Sequence, residues 1–310
     1  MSYLDDQRLL VKVANLYYQE NETQSAIAKK IGVSRPLISK FLAKAREKGI
    51  VEIIIHDDLH TASAIENKLE KKYSLREVIC LPDTVTHNVK KQLGAAASNY
   101  LLRVLKDGQI VGISSGTTIY EVANAMPSNQ KFPDICFVPL VGGMGNERLD
   151  IHANILVANF AEALGSNYQL LHAPVIVDSK EAKNIISKQT SIKKIMDLAS
   201  RVDIAIVGIG GTPEHSTMVK SYYDSGILDD LNYDDIVGDI CYNFINDEGK
   251  PINNSWNEKV ISLDLNKLKN IPLVVGIAAG REKAKAIKAS LTNSLIDVLI
   301  TDEETAKLLL

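Results

Sequence analysis

The sequence predicts an α/β protein with a small, all-helical N-terminal domain, and three observations support that class. Residues 23–49, TQSAIAKKIGVSRPLISKFLAKAREKG, read as two short helices joined at a glycine. From Val78 onward, apolar β-branched runs alternate with helical patterns, as in a largely parallel sheet covered by helices on both faces. Charge divides along the same boundary. Residues 1–56 carry nine Lys/Arg against six Asp/Glu, a net of +3, and the remainder carries 26 against 32, a net of −6. A basic head on an acidic body suits a protein that meets phosphate with one end.

Taken in order, residues 4–18 are expected to form a first helix with Leu9, Leu10, Val13, Leu16 and Tyr17 as its apolar stripe. Thr23 can cap a second helix that buries Ile27, Ala28 and Ile31, and Gly32 follows where the chain must leave with φ > 0. Ser34 can cap a third helix with Pro36 in its first turn, where a missing N–H costs little. Ile38, Phe41, Leu42 and Ala45 then point inward, leaving Arg35, Ser39 and Lys40 on the open side with Lys44 and Arg46 beyond. A helical hairpin with a solvated face needs only the caps. A DNA-binding helix-turn-helix needs the small residue at the crossing, the glycine corner and the spaced anchors together, and all three are present. The run at 51–55 is expected as a strand or wing, and His56-Asp57-Asp58-Leu59-His60 as a linker rather than a metal site.

A charged amphipathic helix from Thr61 to Tyr73 leads into the second region. Strands are expected at 78–81, 110–113, 135–140, 175–177, 204–209, 236–245, 260–263, 273–277 and 298–300. Helices are expected near 89–105, after residue 116, at 155–164, within 180–200, at 282–291 and at the end. In such sheets ligands bind beyond the carboxyl ends of strands. Ser114-Ser115-Gly116-Thr117-Thr118 follows one apolar run and opens a helix, a pattern able to cradle phosphate. Gly142-Gly143 and the glycines of IAIVGIG (Gly208, Gly210) either admit a ligand to the backbone or simply turn the chain. Neither cluster is GxGxxG, which speaks against a dinucleotide site. Asp239 can bind sugar hydroxyls or form a turn, and Lys283 beside Gly280 can meet an anion.

Composition bounds the remaining classes. Hydrophobic content of 45% with 24% charged residues is that of an ordinary globular chain. No run of about 18 apolar residues indicates a transmembrane helix, and the acidic start is unlike a secretory signal. Cys80, Cys136 and Cys241 lack metal-type spacing and read as reduced, buried thiols of a cytoplasmic protein.

Four segments together resemble the SorC type of bacterial sugar-binding transcriptional regulator. They are LYYQENETQSAIAKKIGVSRPLISKFLAKAREKGIVEI, DGQIVGISSGTTIYEVA, VGDICYNFINDEG and AAGREKAKAIKASLTNSLIDVLITDEETAKLLL. They span nearly the whole chain in family order. The resemblance implies a helix-turn-helix, winged-helix-like domain over 1–56. It also implies a Rossmann-like effector domain over 57–310, related to sugar-phosphate isomerases. It implies double-stranded operator DNA as one partner, contacted by Thr23, Gln24, Ser34, Arg35, Pro36, Ser39, Lys40 and Lys44. A phosphorylated sugar would be the other, held by Ser114, Gly116, Thr117, Thr118, Gly142, Gly143, Gly208, Gly210, Asp239 and Lys283. A homotetramer built as a dimer of dimers is implied, with no membrane partner, cofactor, metal or catalysis. Two departures stand out. Val141 occupies the position where relatives carry a Lys able to form a Schiff base, or an Arg, and Ser115 occupies that of a common Trp. The expected ligand is therefore held non-covalently. The competing reading is a sugar-phosphate isomerase-like enzyme with an N-terminal assembly domain, in which Asp203 or Asp264 serves as base.

Overall fold

A computed structural model describes residues 6–52, 60–83, 88–143, 148–216, 219, 222 and 232–310. The chain divides into two compact units, residues 1–58 and 59–310.

The first unit is built from α1 (Gln7–Tyr18), α2 (Gln24–Ile31) and α3 (Arg35–Glu47). Asp6 caps α1 by accepting the N–H groups of Arg8 and Leu9 at 3.0 and 3.3 Å. Thr23 caps α2 through the Ala26 N–H at 3.2 Å. Gly32 leaves α2 at φ +80, a left-handed conformation that costs glycine least. Ser34 sits at the N-cap of α3, but its side chain makes no capping hydrogen bond, in contrast to the expectation. Leu10, Val13, Leu16, Ile27, Ala28, Ile38, Phe41, Leu42 and Ala45 form one buried cluster, with Leu9, Tyr17 and Ile31 half-buried at its edge. Val51 and Glu52 are not in a strand, and the rest of the expected strand or wing lies outside the described residues, as does most of the His56–His60 stretch.

The second unit begins with α4 (His60–Tyr73), β1 (Glu77–Leu81), α5 (Val89–Val104), β2 (Ile110–Ile113), α6 (Thr117–Asn124), β3 (Cys136–Pro139), α7 (Ala153–Leu164) and β4 (Asn167–Tyr168). It continues with α8 (Lys180–Ser187), α9 (Thr190–Ala199), β5 (Ile204–Gly210), β6 (Gly238–Ile240), β7 (Asn243–Ile245), α10 (Ser255–Lys259) and α11 (Leu265–Leu268). Last come β8 (Val274–Ile277), α12 (Ala284–Thr292), β9 (Val298–Asp302) and α13 (Glu303–Leu309). Seven strands pair in parallel in the order β1-β9-β8-β5-β2-β3-β4, and the β6–β7 hairpin attaches antiparallel to the end of β5.

Alternation within the strands feeds two cores. In β5, Ile204 and Ile206 join Val111, Ile113 and Val275 on one face, while Ala205 and Val207 join Val138 and Leu299 on the other. Burial on both faces explains the near-continuous apolar runs. The β1 edge is covered by α4, whose Glu66 and Glu70 accept the N–H groups of Cys80 and Val78 at 2.8 and 2.9 Å. Those bonds blunt an edge that would otherwise be open to another strand.

Several expected elements differ. The run 236–245 is a hairpin, not one strand: Cys241 and Tyr242 both take φ > 0 and turn the chain back on itself. Residues 175–177 and 260–263 are apolar because they are buried, and they meet only through isolated bridges such as Ile176–Val260. The edge strand β4 carries two exposed residues and had no apolar signal. All three cysteines are free, but Cys136 is only half-buried.

Candidate functional site

Strand order reverses between β2 and β5: the chain passes from β2 outward to β3 on one side and from β5 outward to β8 on the other. A crevice at such a switch point is where doubly wound sheets take ligands. Here it is a cavity of about 140 Å³ beyond the carboxyl ends of β2, β5 and β8.

Ser114 shapes its floor. Its N–H continues the ladder to Ile206 O at 3.0 Å, and its hydroxyl accepts the Gly208 N–H at 3.2 Å where the strands part. The loop then opens α6. Gly116 holds φ +123, ψ 162, a conformation open to glycine alone, and no side chain caps the helix. Among the described residues, the first-turn N–H groups of Thr117, Thr118 and Ile119 make no hydrogen bond, leaving a positive dipole end facing the cavity. Lys90 of α5 donates to the Thr117 hydroxyl at 3.1 Å, and Lys283, at the end of the 3₁₀ turn Arg281–Lys283, enters from beyond β8. Burial pulls the Lys283 ammonium below its usual range, the Lys90 charge adds to that, and Asp239 opposes it. Two cations and a bare helix end therefore line the same cavity, groups of the kind that bind a phosphoryl group.

Asp239 provides the opposite chemistry. It lies on β6 opposite Gly210 of β5, 6% exposed, and accepts the Ser216 hydroxyl at 3.0 Å. A Cβ on Gly210 would run into the Asp239 carboxylate, so the close strand pairing requires glycine there. Burial pushes the Asp239 carboxyl up to about 6, against the pull of Ser216, Lys283 and the Tyr242 N–H. Such a group is held at an energetic cost and can accept hydrogen bonds from hydroxyls of a ligand.

Of the sequence-derived set, Ser114, Gly116, Thr117, Thr118, Gly208, Gly210, Asp239 and Lys283 line this one cavity. Gly142 and Gly143 are not among the described residues that line it. Gly142 donates to Ile261 O at 3.0 Å and is packed so closely on Pro174 and Val175 that a Cβ would clash with their backbone. Gly143 exchanges two 2.8 Å bonds with Ala173 and Val175. Val141 is buried in the core, away from the cavity wall. Sequence reasoning missed Lys90, His215, Ser216, Cys241 and Tyr242. Lys90 precedes the loop by a whole helix, and Tyr242 was hidden inside a run read as one strand. Asp203 and Asp264 are structural: the first accepts the Ile110 N–H at 2.8 Å and the second caps α11 through Asn266 at 2.8 Å. Among the described residues, no group of His, Cys, Asp and Glu side chains is arranged to hold a metal.

In the first unit, Ser34, Arg35, Pro36, Ser39 and Lys40 are exposed at the start of α3. Thr23, Gln24 and Arg35 line one groove on this unit. Thr23 is committed to its cap, and Lys44 pairs with Glu47 at 2.8 Å.

A helix-turn-helix unit followed by a doubly wound unit with an anion-type cavity defines a ligand-responsive transcriptional regulator. Residues 57–310 match the family model described as "Putative sugar-binding domain", and the chain belongs to that family, within the SorC-type regulators. The "Sorbitol operon regulator" of Klebsiella pneumoniae is 33% identical over 316 residues, covering 100% of both chains. The "Deoxyribonucleoside regulator" of Bacillus subtilis is 30% identical over 308 residues, covering 98% of each. The crystal structure of the full-length K. pneumoniae regulator SorC superposes with a TM-score of 0.75 at 32% identity, covering 98% of this chain and 99% of that one. No helix among the described residues is long and apolar enough to cross a membrane.

Proposed function

We propose that this protein is a cytoplasmic, DNA-binding regulator of a carbohydrate-utilisation operon, controlled by a phosphorylated sugar held non-covalently in the second unit. The observation that carries the reading is a single cavity lined by two chemistries: the cations Lys90 and Lys283 with the α6 N-terminus, and buried Asp239 with Ser216. A phosphomonoester with a hydroxylated carbon chain matches both chemistries, whereas a free sugar leaves the cations unmatched. Val141, where relatives carry Lys or Arg, supplies no amine for covalent capture. The names of the relatives support operon control as the output.

Arg35, Ser39 and Lys40 would meet bases and phosphates in the major groove, with Thr23, Gln24, Ser34, Pro36 and Lys44 at the backbone. A homotetramer, as a dimer of dimers, would present paired heads to paired half-sites. By linkage, whatever the sugar phosphate does to DNA affinity, DNA does equally to sugar affinity.

Thermal unfolding across sugar phosphates and their unphosphorylated parents tests the sensing half. Ligand at about a hundredfold excess over Kd adds roughly 2.7 kcal/mol to the folded state, so a matching phosphosugar raises the midpoint by several degrees. The parent sugar should leave it unmoved. Equal increases with both would contradict the phosphate assignment.

A further inference from the structure

The cavity wall holds a side chain, Tyr242, whose chemistry the preceding reading leaves unused. Cys241 and Tyr242 are the two central residues of the β6–β7 hairpin, at φ +50 and +62. A tight turn of this kind favours Asn and Gly at both positions, and a tyrosine held there is strained. The surroundings fix it. Asn243 donates to the carbonyls of Ile240, Cys241 and Leu263 at 3.2, 3.1 and 3.1 Å, and the indole N–H of Trp256 donates to Tyr242 O at 2.7 Å. Trp256 is in turn stacked on Phe244.

The phenol this turn delivers to the cavity is 1% exposed; its hydroxyl is near Ser115 but makes no well-formed hydrogen bond among the described residues. Buried side-chain atoms of Tyr100, Asn254, Ser255 and Thr301 are unpartnered too, but of these groups only Tyr242 borders the cavity. A buried, unmatched hydroxyl costs stability that Phe at the same position would not. Backbone strain and an unmatched donor thus coincide at one residue, beside the carboxylate of Asp239 and next to Ser115 on the same wall.

We propose that Tyr242 is the ligand-discriminating residue of this site. Its hydroxyl completes its hydrogen bonding with an oxygen on the non-phosphorylated part of the ligand, while Asp239 accepts from a neighbouring hydroxyl. The inference rests on the phosphosugar reading and adds to it a ligand class: phosphomonoesters whose carbon chain carries oxygen substituents within reach of both Asp239 and Tyr242. Phosphate alone, or a phosphate on a chain lacking those oxygens, would engage the cationic groups only.

The test is calorimetric titration of the full-length protein and of Tyr242→Phe with inorganic phosphate and with aldose, ketose and alditol phosphates of three to seven carbons. Wild type should bind at least one of the esters more tightly than inorganic phosphate. Tyr242→Phe should weaken that ester roughly tenfold, the loss expected for one buried hydrogen bond, and leave inorganic phosphate unchanged. The unliganded variant should melt no lower than wild type. Unchanged ester affinity in Tyr242→Phe would overturn the inference alone, showing a hydroxyl served by water. Failure of every ester to outbind inorganic phosphate in wild type would overturn the ligand class and the inference together. An equal loss for phosphate and ester would also overturn the inference, because the hydroxyl would then not discriminate between them.

Discussion

Replacing Asp239 by Asn should make the unliganded protein more stable at pH 8 while destroying its response to ligand. Burial pushes this carboxyl from its ordinary 3.8 up to about 6, with Ser216, Lys283 and the Tyr242 N–H only partly offsetting that effect. At about 1.4 kcal/mol for each pH unit, a rise of that size corresponds to a penalty of roughly 3 kcal/mol for keeping the ionised form buried. Between about pH 4 and 6 the folded chain binds more protons at this site than the unfolded one. This contribution to stability is therefore full at pH 4, is lost as the pH rises through 6, and is flat above. Asn keeps an oxygen for the Ser216 hydroxyl but carries no charge, so it escapes the penalty. The rise is already net of the attraction of Lys283, and the amide N–H groups of Asn, buried without an assured partner, trim the gain to about 1–3 kcal/mol. Urea unfolding followed by the fluorescence of Trp256, the single tryptophan and a direct neighbour of the Tyr242 backbone, reads this out. The variant should exceed wild type at pH 8 and converge on it near pH 4. A variant less stable than wild type by more than about 1 kcal/mol at pH 8 would refute the reasoning, since Asp239 would then be a net structural anchor for Lys283.

The other predictions divide the two units and probe the scaffold. Lys283→Ala should weaken phosphosugar binding about 10- to 100-fold, as loss of a charge-assisted contact does, and leave operator affinity without ligand unchanged; calorimetry and DNA anisotropy check the two halves. Arg35→Ala should weaken DNA binding and reduce the slope of log affinity against log salt by about 1, with phosphosugar affinity intact. Gly94→Ala should cost roughly 1–3 kcal/mol in urea unfolding, because a Cβ there would lie 2.6 Å from the Glu121 backbone where α5 crosses α6.

What could be read from the chain follows from how local the signals are. The helix-turn-helix was legible because its caps, its glycine corner and its apolar anchors sit within 27 residues and obey one period. The parallel sheet was legible because strands buried on both faces show as apolar runs. The same rule misfired at 175–177 and 260–263, where burial without ladder pairing leaves an identical pattern. It also merged β6 and β7, because turn chemistry at Cys241 and Tyr242 is absent from the sequence and is imposed by Asn243 and Trp256. At the cavity, the residues on the two loops with recognisable small-residue patterns were found. Lys90 and Ser216 reach it from segments with no such pattern, and the paired glycines 142–143 mark a close backbone approach instead.

The central claim is that sugar-phosphate occupancy of the β2/β5 cavity controls DNA binding by the helical head. Anisotropy of labelled duplex, selected by the full-length protein from a random-sequence pool, should be titrated with and without the phosphosugar that raises the melting midpoint, for wild type and for Lys283→Ala. Wild type should show a ligand-dependent change in DNA affinity of at least about fivefold, the lower end of ordinary coupling, and the variant none. DNA affinity in wild type indifferent to a ligand that demonstrably binds would contradict it.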